Sequence, residues 1–456
     1  MDAPPSIDPI FSALSLESGL PIYETNRDRD PPLYRHTRLE STSTRERTEH
    51  VYNLMNNKDQ PWATLKFHSA ARHPDHVPVL FEGDAITGTL EINVNKDHIT
   101  DVLIVAAGRI VTSVEDYDSG VFLNLSHIVW SRSMGDPRSS TPSETAPLYT
   151  EKLHGRYFWP FTFTLPRQIT LSSNSISSSA EKTFYLPPSF LERNTRVSVQ
   201  YDIYAHIRRG KFRPNSKLGT ILLYVPCIKP EPPSALRQLA YQEGSPILGP
   251  DIDPDGWKTL KPIFINGTIF RNRSVDAKCT LSLAKPLCYT RGTAIPCVMV
   301  IESSDEQALD LLSSPRAAVV RLQRRVTYNT EAETRRTHIA GKGWGAAVDY
   351  PGTAVFWPGP ACDGTGRRLD GEIQLSKHLK PSSKVMHFSI TYNVVVFPFE
   401  AIAFYSANKD PLLTEKVEIG TLYAQGLRPK AYSPPTYSDS SSRGSRFTIG
   451  GSSDFA

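Results

Sequence analysis

The 456-residue chain has little cysteine, little net charge and no long apolar run. Each scarcity closes off a class of protein. The five cysteines (Cys227, Cys279, Cys288, Cys297 and Cys362) form no C-x-x-C and no Cys/His spacing suited to zinc. An odd, sparse set reads as reduced, mostly buried thiols in an intracellular protein. The 51 basic and 47 acidic residues leave a net charge of +4, too mild to argue for a nucleic-acid partner, and none is expected. The longest apolar stretch, Val394–Tyr405, contains Pro398 and Glu400 and is too short to span a bilayer. The first residues lack a basic segment followed by an apolar one, so no secretory signal is read there. The sequons at Asn124, Asn266 and Asn272 are then expected to stay unglycosylated. Enzyme signatures are missing too: no G-x-S-x-G, H-E-x-x-H or P-loop occurs. The G-x-G-x-x-A match at Gly341–Ala346 follows a polar, basic stretch and not a buried strand, and reads as a loop. The expectation is a non-catalytic protein without metal or cofactor.

What is present is the same four-residue signal near both ends. Pro31-Pro32-Leu33-Tyr34 and Pro434-Pro435-Thr436-Tyr437 are both P-P-x-Y. With 37 Pro and 19 Tyr in the chain, random placement yields only about 0.12 such matches. Two prolines pre-set a left-handed polyproline II helix, so docking costs little ordering entropy. The tyrosine then fills the next pocket of an aromatic-lined groove, which is how WW domains read a peptide. Pro31, Pro32, Tyr34, Pro434, Pro435 and Tyr437 are the candidate WW-binding residues. A weaker copy, Leu20-Pro21-Ile22-Tyr23, has Leu in place of the first Pro; Leu20, Pro21 and Tyr23 are its contact residues.

Both motifs fall in segments that read as disordered. Residues 1–60 are polar and rich in Arg, Ser and Thr, and residues 425–456 are Ser-rich. Phosphorylation of Ser41–Thr44 or Ser438–Ser442 would add charge beside arginines there. Between the arms the pattern is strand after strand. Ile86, Gly88, Leu90, Ile92 and Val94 alternate with polar residues, as do Val199, Tyr201, Ile203, Ala205 and Ile207. Val275 to Leu283, Ile295 to Ile301 and Met386 to Val396 repeat the pattern further on. Seven prolines in Pro226–Pro254 mark a connector that cannot be a strand region. Only Asp305–Ser314 reads as helix. The prediction is two antiparallel β-sandwiches, 61–228 and 257–424, joined by a Pro-rich linker at 229–256.

Five strings then resemble one family, in its order. Phe81-Glu82-Gly83-Asp84 with Ile86-Thr87-Gly88 is similar to the opening of an arrestin N-domain. Gly155-Arg156-Tyr157-Phe158-Trp159-Pro160-Phe161 resembles that domain's aromatic strand, and Leu186-Pro187-Pro188-Ser189-Phe190 and Val199-Gln200-Tyr201-Asp202-Ile203 its next landmarks. Gly292-Thr293-Ala294-Ile295-Pro296 resembles the arrestin C-domain. Together with P-P-x-Y arms, the chain from Trp62 to Tyr423 resembles the α-arrestins, specifically fungal arrestin-related trafficking adaptors. The resemblance implies an immunoglobulin-like sandwich pair and a task. The protein would bring a WW-domain HECT ubiquitin ligase to the cytosolic tails of membrane transporters or receptors, promoting their ubiquitination and endocytosis. It implies a cytoplasmic protein recruited peripherally to plasma membrane and endosomes. The alternative is a ligase-independent endosomal sorting scaffold like the arrestin-like subunit of retromer; a two-domain hydrolase would need a clustered acidic or metal site. The buried charged latch of visual-type arrestins is not identifiable in the sequence.

Arg208, Arg209, Lys211, Arg213 and Lys217 crowd the link between two strands. They form a candidate contact for acidic or phosphorylated cargo tails or anionic lipid headgroups. Arg321, Arg324, Arg325, Arg335 and Arg336 form a second basic region.

Overall fold

Alternation in the sequence becomes alternation in burial. Along the strand Ala85–Asp97, Ile86, Leu90, Ile92 and Val94 are buried while Thr87 and Asn93 are exposed. The structure, a computed structural model, describes residues 47–112, 120–138, 148–172, 181–210, 213–329, 344–361 and 366–434. Among them the protein is all-β apart from two short helices.

The first sandwich comprises β1 (Thr48–Met55), β2 (Pro61–Ser69), β3 (Val79–Phe81), β4 (Ala85–Asp97), β5 (Ile99–Val111), β6 (Val121–Ser131), β7 (Leu153–Thr164), β8 (Gln168–Ser172), β9 (Glu181–Tyr185), β10 (Phe190–Leu191), β11 (Ser198–Arg209) and β12 (Ser216–Val225). One sheet runs β1-β2-β4-β7 and the other β3-β12-β11-β5-β6, with β10 beside β11 and β8-β9 a separate hairpin. The first strand starts inside the segment expected to be a disordered arm. Its residues pair with β2 from Thr48 opposite Ser69 to Met55 opposite Pro61, and His50 is buried. The aromatic string lies on β7, where Tyr157, Trp159 and Phe161 point inward and Phe158 outward. Tyr157 stacks on Trp159 at 5.6 Å and Trp159 on Trp130 at 6.1 Å, fastening the two sheets. Such rings contribute roughly 1.5–3 kcal/mol each by burial alone. Pro160 lies on β7, an edge strand of its sheet, where proline is best tolerated.

The second sandwich comprises β13 (Trp257–Thr259), β14 (Ile263–Ile269), β15 (Arg273–Ala284), β16 (Cys288–Thr290), β17 (Ala294–Glu302), β18 (Val320–Asn329), β19 (Trp344–Pro358), β20 (Gly366–Gln374), β21 (Ser383–Val385), β22 (Phe388–Val396), β23 (Phe404–Ser406) and β24 (Leu413–Gly420). Its strand order repeats the first. The run β14-β15-β17-β20 parallels β1-β2-β4-β7, and β16-β24-β22-β18-β19 parallels β3-β12-β11-β5-β6. In each copy the short strand and the last strand form a parallel pair, β3 with β12 and β16 with β24, among antiparallel neighbours. A glycine at positive φ follows each short strand, Gly83 at 86° and Gly292 at 82°. The copies differ at β19. Its first half pairs with β18 and its second half with β20, so one long strand bends from one face of the second sandwich to the other.

The Pro-rich connector holds a helix that the proline count concealed. It is α1 (Ala235–Glu243), capped by Ser234, whose side chain accepts from the Arg237 N–H, and ended by Gly244 at a φ of 71°. The Arg237 guanidinium is buried, lies over the Trp257 ring, and donates to the Lys285 and Gly256 carbonyls at 2.6 and 2.5 Å. The predicted helix at Asp305–Ser314 is present as α2 (Glu306–Leu312), capped by Asp305. The sandwiches touch directly. Phe190 meets Phe388 at 5.3 Å, and the Thr421 hydroxyl donates to the Pro226 carbonyl while accepting from the Ile228 N–H. Arg324 of β18 forks onto Glu192, just beyond β10, at 2.7 and 2.9 Å and also grips Asp349 of β19.

Candidate functional site

Two regions merit attention: the point where the C-terminal P-P-x-Y leaves the sandwiches, and the basic loop. After β24 the chain runs on beside α1 and the second sandwich instead of detaching at residue 425. Ala424 and Pro429 line one shallow groove with Arg237, Tyr241, Cys288 and Pro296. Opposite Pro296 in the ladder lies Glu372 of β20, a carboxylate only 2% exposed. One oxygen accepts from the Tyr432 N–H at 3.0 Å; the other accepts from the Ser433 N–H at 2.9 Å and from the Gln374 amide at 2.6 Å. The Tyr432 ring stacks over Tyr241 at 6.4 Å, and its hydroxyl faces the Ala240 carbonyl at 3.4 Å. Burial, and then Glu372, raise the Tyr432 phenol above its ordinary value. Pro434, the first motif residue, follows immediately and is half-buried. Pro435 and Tyr437 lie outside the described residues, as do Pro31, Pro32, Tyr34 and the weaker copy Leu20, Pro21 and Tyr23.

Glu372 was not legible as a site residue. Alternation with buried Leu369 and Ile373 places it on the outward face of β20, where a lone carboxylate reads as solvated. Its two backbone donors come from the tail, sixty and sixty-one residues on.

The basic loop joins β11 to β12, and its cations do not form a uniform patch. Arg209 is turned into the fold, its side chain 12% exposed. It donates to Asp97 at 2.8 Å, to the Pro214 carbonyl and to the Ser216 hydroxyl, and lies over the Trp62 ring. Arg213 reaches the other oxygen of Asp97 at 3.1 Å but stays exposed. Arg208 and Lys217 are exposed, and the Lys217 ammonium sits 3.6 Å from the Tyr204 ring centre. Burial, then Arg208 and Lys217, lower His206 on the same two strands. Lys211 lies outside the described residues. What remains directed outward is Arg208, Arg213 and Lys217, with Asp97 offsetting part of the charge.

In the second basic region Arg324 is committed to the contact between sandwiches. Burial alone would pull its guanidinium down, but hydrogen bonds to Asp349 and Glu192 more than offset this and hold it above its ordinary value. Arg321 lies over Tyr350 and Phe397, and Arg325 is exposed. Arg335 and Arg336 lie outside the described residues.

Of the cysteines, Cys279 and Cys297 are buried and Cys227 and Cys288 half-buried; Cys362 lies outside the described residues. Burial pushes the Cys279 and Cys288 thiols up to about 12. Among the described residues no group of three or more His, Cys, Asp or Glu is placed to hold a metal ion, and no helix is long and apolar enough to cross a membrane. No protein-family model matches the chain, and no curated protein matches it.

Proposed function

We propose that this protein is a non-catalytic adaptor. Its P-P-x-Y arms engage a WW-domain HECT ubiquitin ligase, and its two sandwiches engage the cytosolic tails of membrane transporters or receptors. The observation that carries the reading is the position of the C-terminal motif. Pro434 comes directly after Ser433, whose N–H the second sandwich holds through Glu372 of β20. A motif joined so directly to the folded body would bring a bound WW domain next to whatever the sandwiches hold. The five arrestin-like strings support the same assignment, and so does the duplicated sandwich they map onto. In this reading the protein is cytoplasmic and reaches plasma membrane and endosomes peripherally, with Arg208, Arg213 and Lys217 contributing contacts to acidic tails or anionic headgroups.

The test is pull-down of the full chain by tandem WW domains. Tyr34→Ala with Tyr437→Ala abolishes capture while the circular dichroism spectrum is unchanged. Undiminished capture of the folded double variant overturns the proposal.

A further inference from the structure

The contacts of the tail pose a problem for any WW domain approaching the second motif. A WW groove must enclose both prolines of P-P-x-Y, and the residues just before them must clear its rim. Here those residues are held. Tyr432 and Ser433 give both backbone N–H groups to Glu372, and Tyr432 stacks on Tyr241 of α1. Backbone N–H bonds to a carboxylate are the strong kind. The arrangement is also specific: two successive N–H groups on one carboxylate fix the direction in which the chain leaves, and Gln374 holds the carboxylate in place.

We propose that Glu372, Tyr241 and the Ala240 carbonyl form a berth for the chain's own tail at residues 431–434, and that a WW domain must lift the tail off it to bind the motif at Pro434–Tyr437. The inference rests on the WW-binding reading above. It adds that the C-terminal motif is partly masked, so the whole chain binds more weakly than the same sequence as a free peptide. The occupant is defined by continuity, since the segment is covalently attached and already seated. Cys288 and Pro296 line the same groove as Pro429.

The masking is quantitative. If only the undocked fraction binds, the apparent Kd rises by the inverse of that fraction. Two hydrogen bonds to a carboxylate are enough for a ratio of ~10-fold or more.

The experiment compares a peptide spanning residues 426–445 with the full chain, using isothermal titration of tandem WW domains. Tyr34→Ala and Tyr23→Ala are present throughout, which silences the N-terminal copies. Binding of the full chain should be at least ~10-fold weaker than that of the peptide. Glu372→Ala should bring the full chain to within about twofold of the peptide. Because Glu372 is buried in β20 and its loss could unsettle the sheet, Tyr432→Pro provides the independent arm. It removes one of the two N–H donors from the tail and leaves the core intact, and it is compared with a peptide carrying the same change. Amide hydrogen exchange across residues 426–434 should rise in both variants. Equal affinity of peptide and full chain, unchanged by either variant, overturns the berth while leaving the WW reading standing. A free peptide that does not bind overturns the WW reading and the masking with it.

Discussion

Tyr201 and Tyr392 occupy the same place in the two sandwiches and make the same hydrogen bond. Tyr201 of β11 lies opposite Leu222 and donates its hydroxyl to the Pro187 carbonyl at 2.6 Å. Tyr392 of β22 lies opposite Val417 and donates to the Lys380 carbonyl at 2.6 Å. Two residues after each acceptor a serine repeats a second clasp. Ser189 N–H donates to the Tyr224 carbonyl while its hydroxyl accepts from the Tyr224 N–H; Ser382 does both with Ile419. Each clasp ties the segment preceding a central strand to the last strand of its sandwich.

Replacing either tyrosine with phenylalanine removes the donor and deprives the carbonyl of that hydrogen bond, in a buried site at Tyr201 and a part-buried one at Tyr392. Each change, Tyr201→Phe or Tyr392→Phe, is expected to cost about 1–2 kcal/mol. The two losses should add in the double variant, since the sites share no partner. Urea-midpoint shifts measure this; a cost near zero at both sites would show that the clasps are not energetically coupled to folding.

The fork of Arg324 onto Glu192 joins the sandwiches, and Arg324 is 13% exposed there. A double-mutant cycle with Arg324→Met and Glu192→Gln should give a coupling energy of about 1–3 kcal/mol. Asp349→Asn should cost less than Glu192→Gln, because Asp349 is half-exposed and its charge is screened by water. The reverse ranking would mean that the pair within the second sandwich, not the contact between sandwiches, carries the energy.

His50 and His206 predict the acid response. His50 is buried with Nδ1 on the Pro74 carbonyl and Nε2 on the Ser69 hydroxyl, both at 2.9 Å. A carbonyl only accepts, so Nδ1 carries the proton and Nε2 accepts from Ser69: the site is built for the neutral ring. Burial lowers both His50 and His206 below the ordinary value of 6.5. The unfolded chain then binds more protons than the folded one. Their contribution is complete above about pH 6.5 and is lost as pH falls through the lowered folded values, at no more than about 1.4 kcal/mol per pH unit for each ring. His50→Gln should flatten the stability profile between pH 7 and 5; an unchanged slope would contradict the assignment.

The basic loop separates into structural and outward-facing cations, and the two should behave differently. Arg209→Ala breaks a largely buried pair with Asp97 and should destabilise the fold by about 2 kcal/mol or more. Arg208→Ala should change stability by less than about 0.5 kcal/mol. In co-sedimentation with phosphatidylserine vesicles, Arg208→Ala with Lys217→Ala should weaken binding ~30-fold, at about 1 kcal/mol for each charge near the surface. Equal vesicle binding by the double variant would remove this loop from the proposed lipid or cargo contact.

Much of the fold was readable because a half-buried strand must alternate, and alternation survives in one dimension. Inward Ile86, Leu90, Tyr201, Ile203, Phe388 and Ile390 were all visible that way. Strands buried on both faces, such as β5 with its run from Val102 to Ala106, carry no such period and were not singled out. The helix α1 was hidden by the prolines around it, although Ser234 followed by nine residues without Pro or Gly was the available signal. The P-P-x-Y motifs needed no fold at all, because a polyproline segment is specified by its own covalent geometry.

The sequence by itself determined the class of the protein: alternating strands in two blocks, a proline-rich join, and two short P-P-x-Y peptides. Tertiary structure alone decided which charges are spent and which are offered. Arg208 and Arg209 are neighbours of identical chemistry, yet the pleat sends one to solvent and the other onto Asp97 and Trp62. Glu372 and Ser433 are sixty-one positions apart, and only the path of the tail along α1 makes one the acceptor for the other. Such pairings depend on distances through space. Local pattern in the chain holds no record of them.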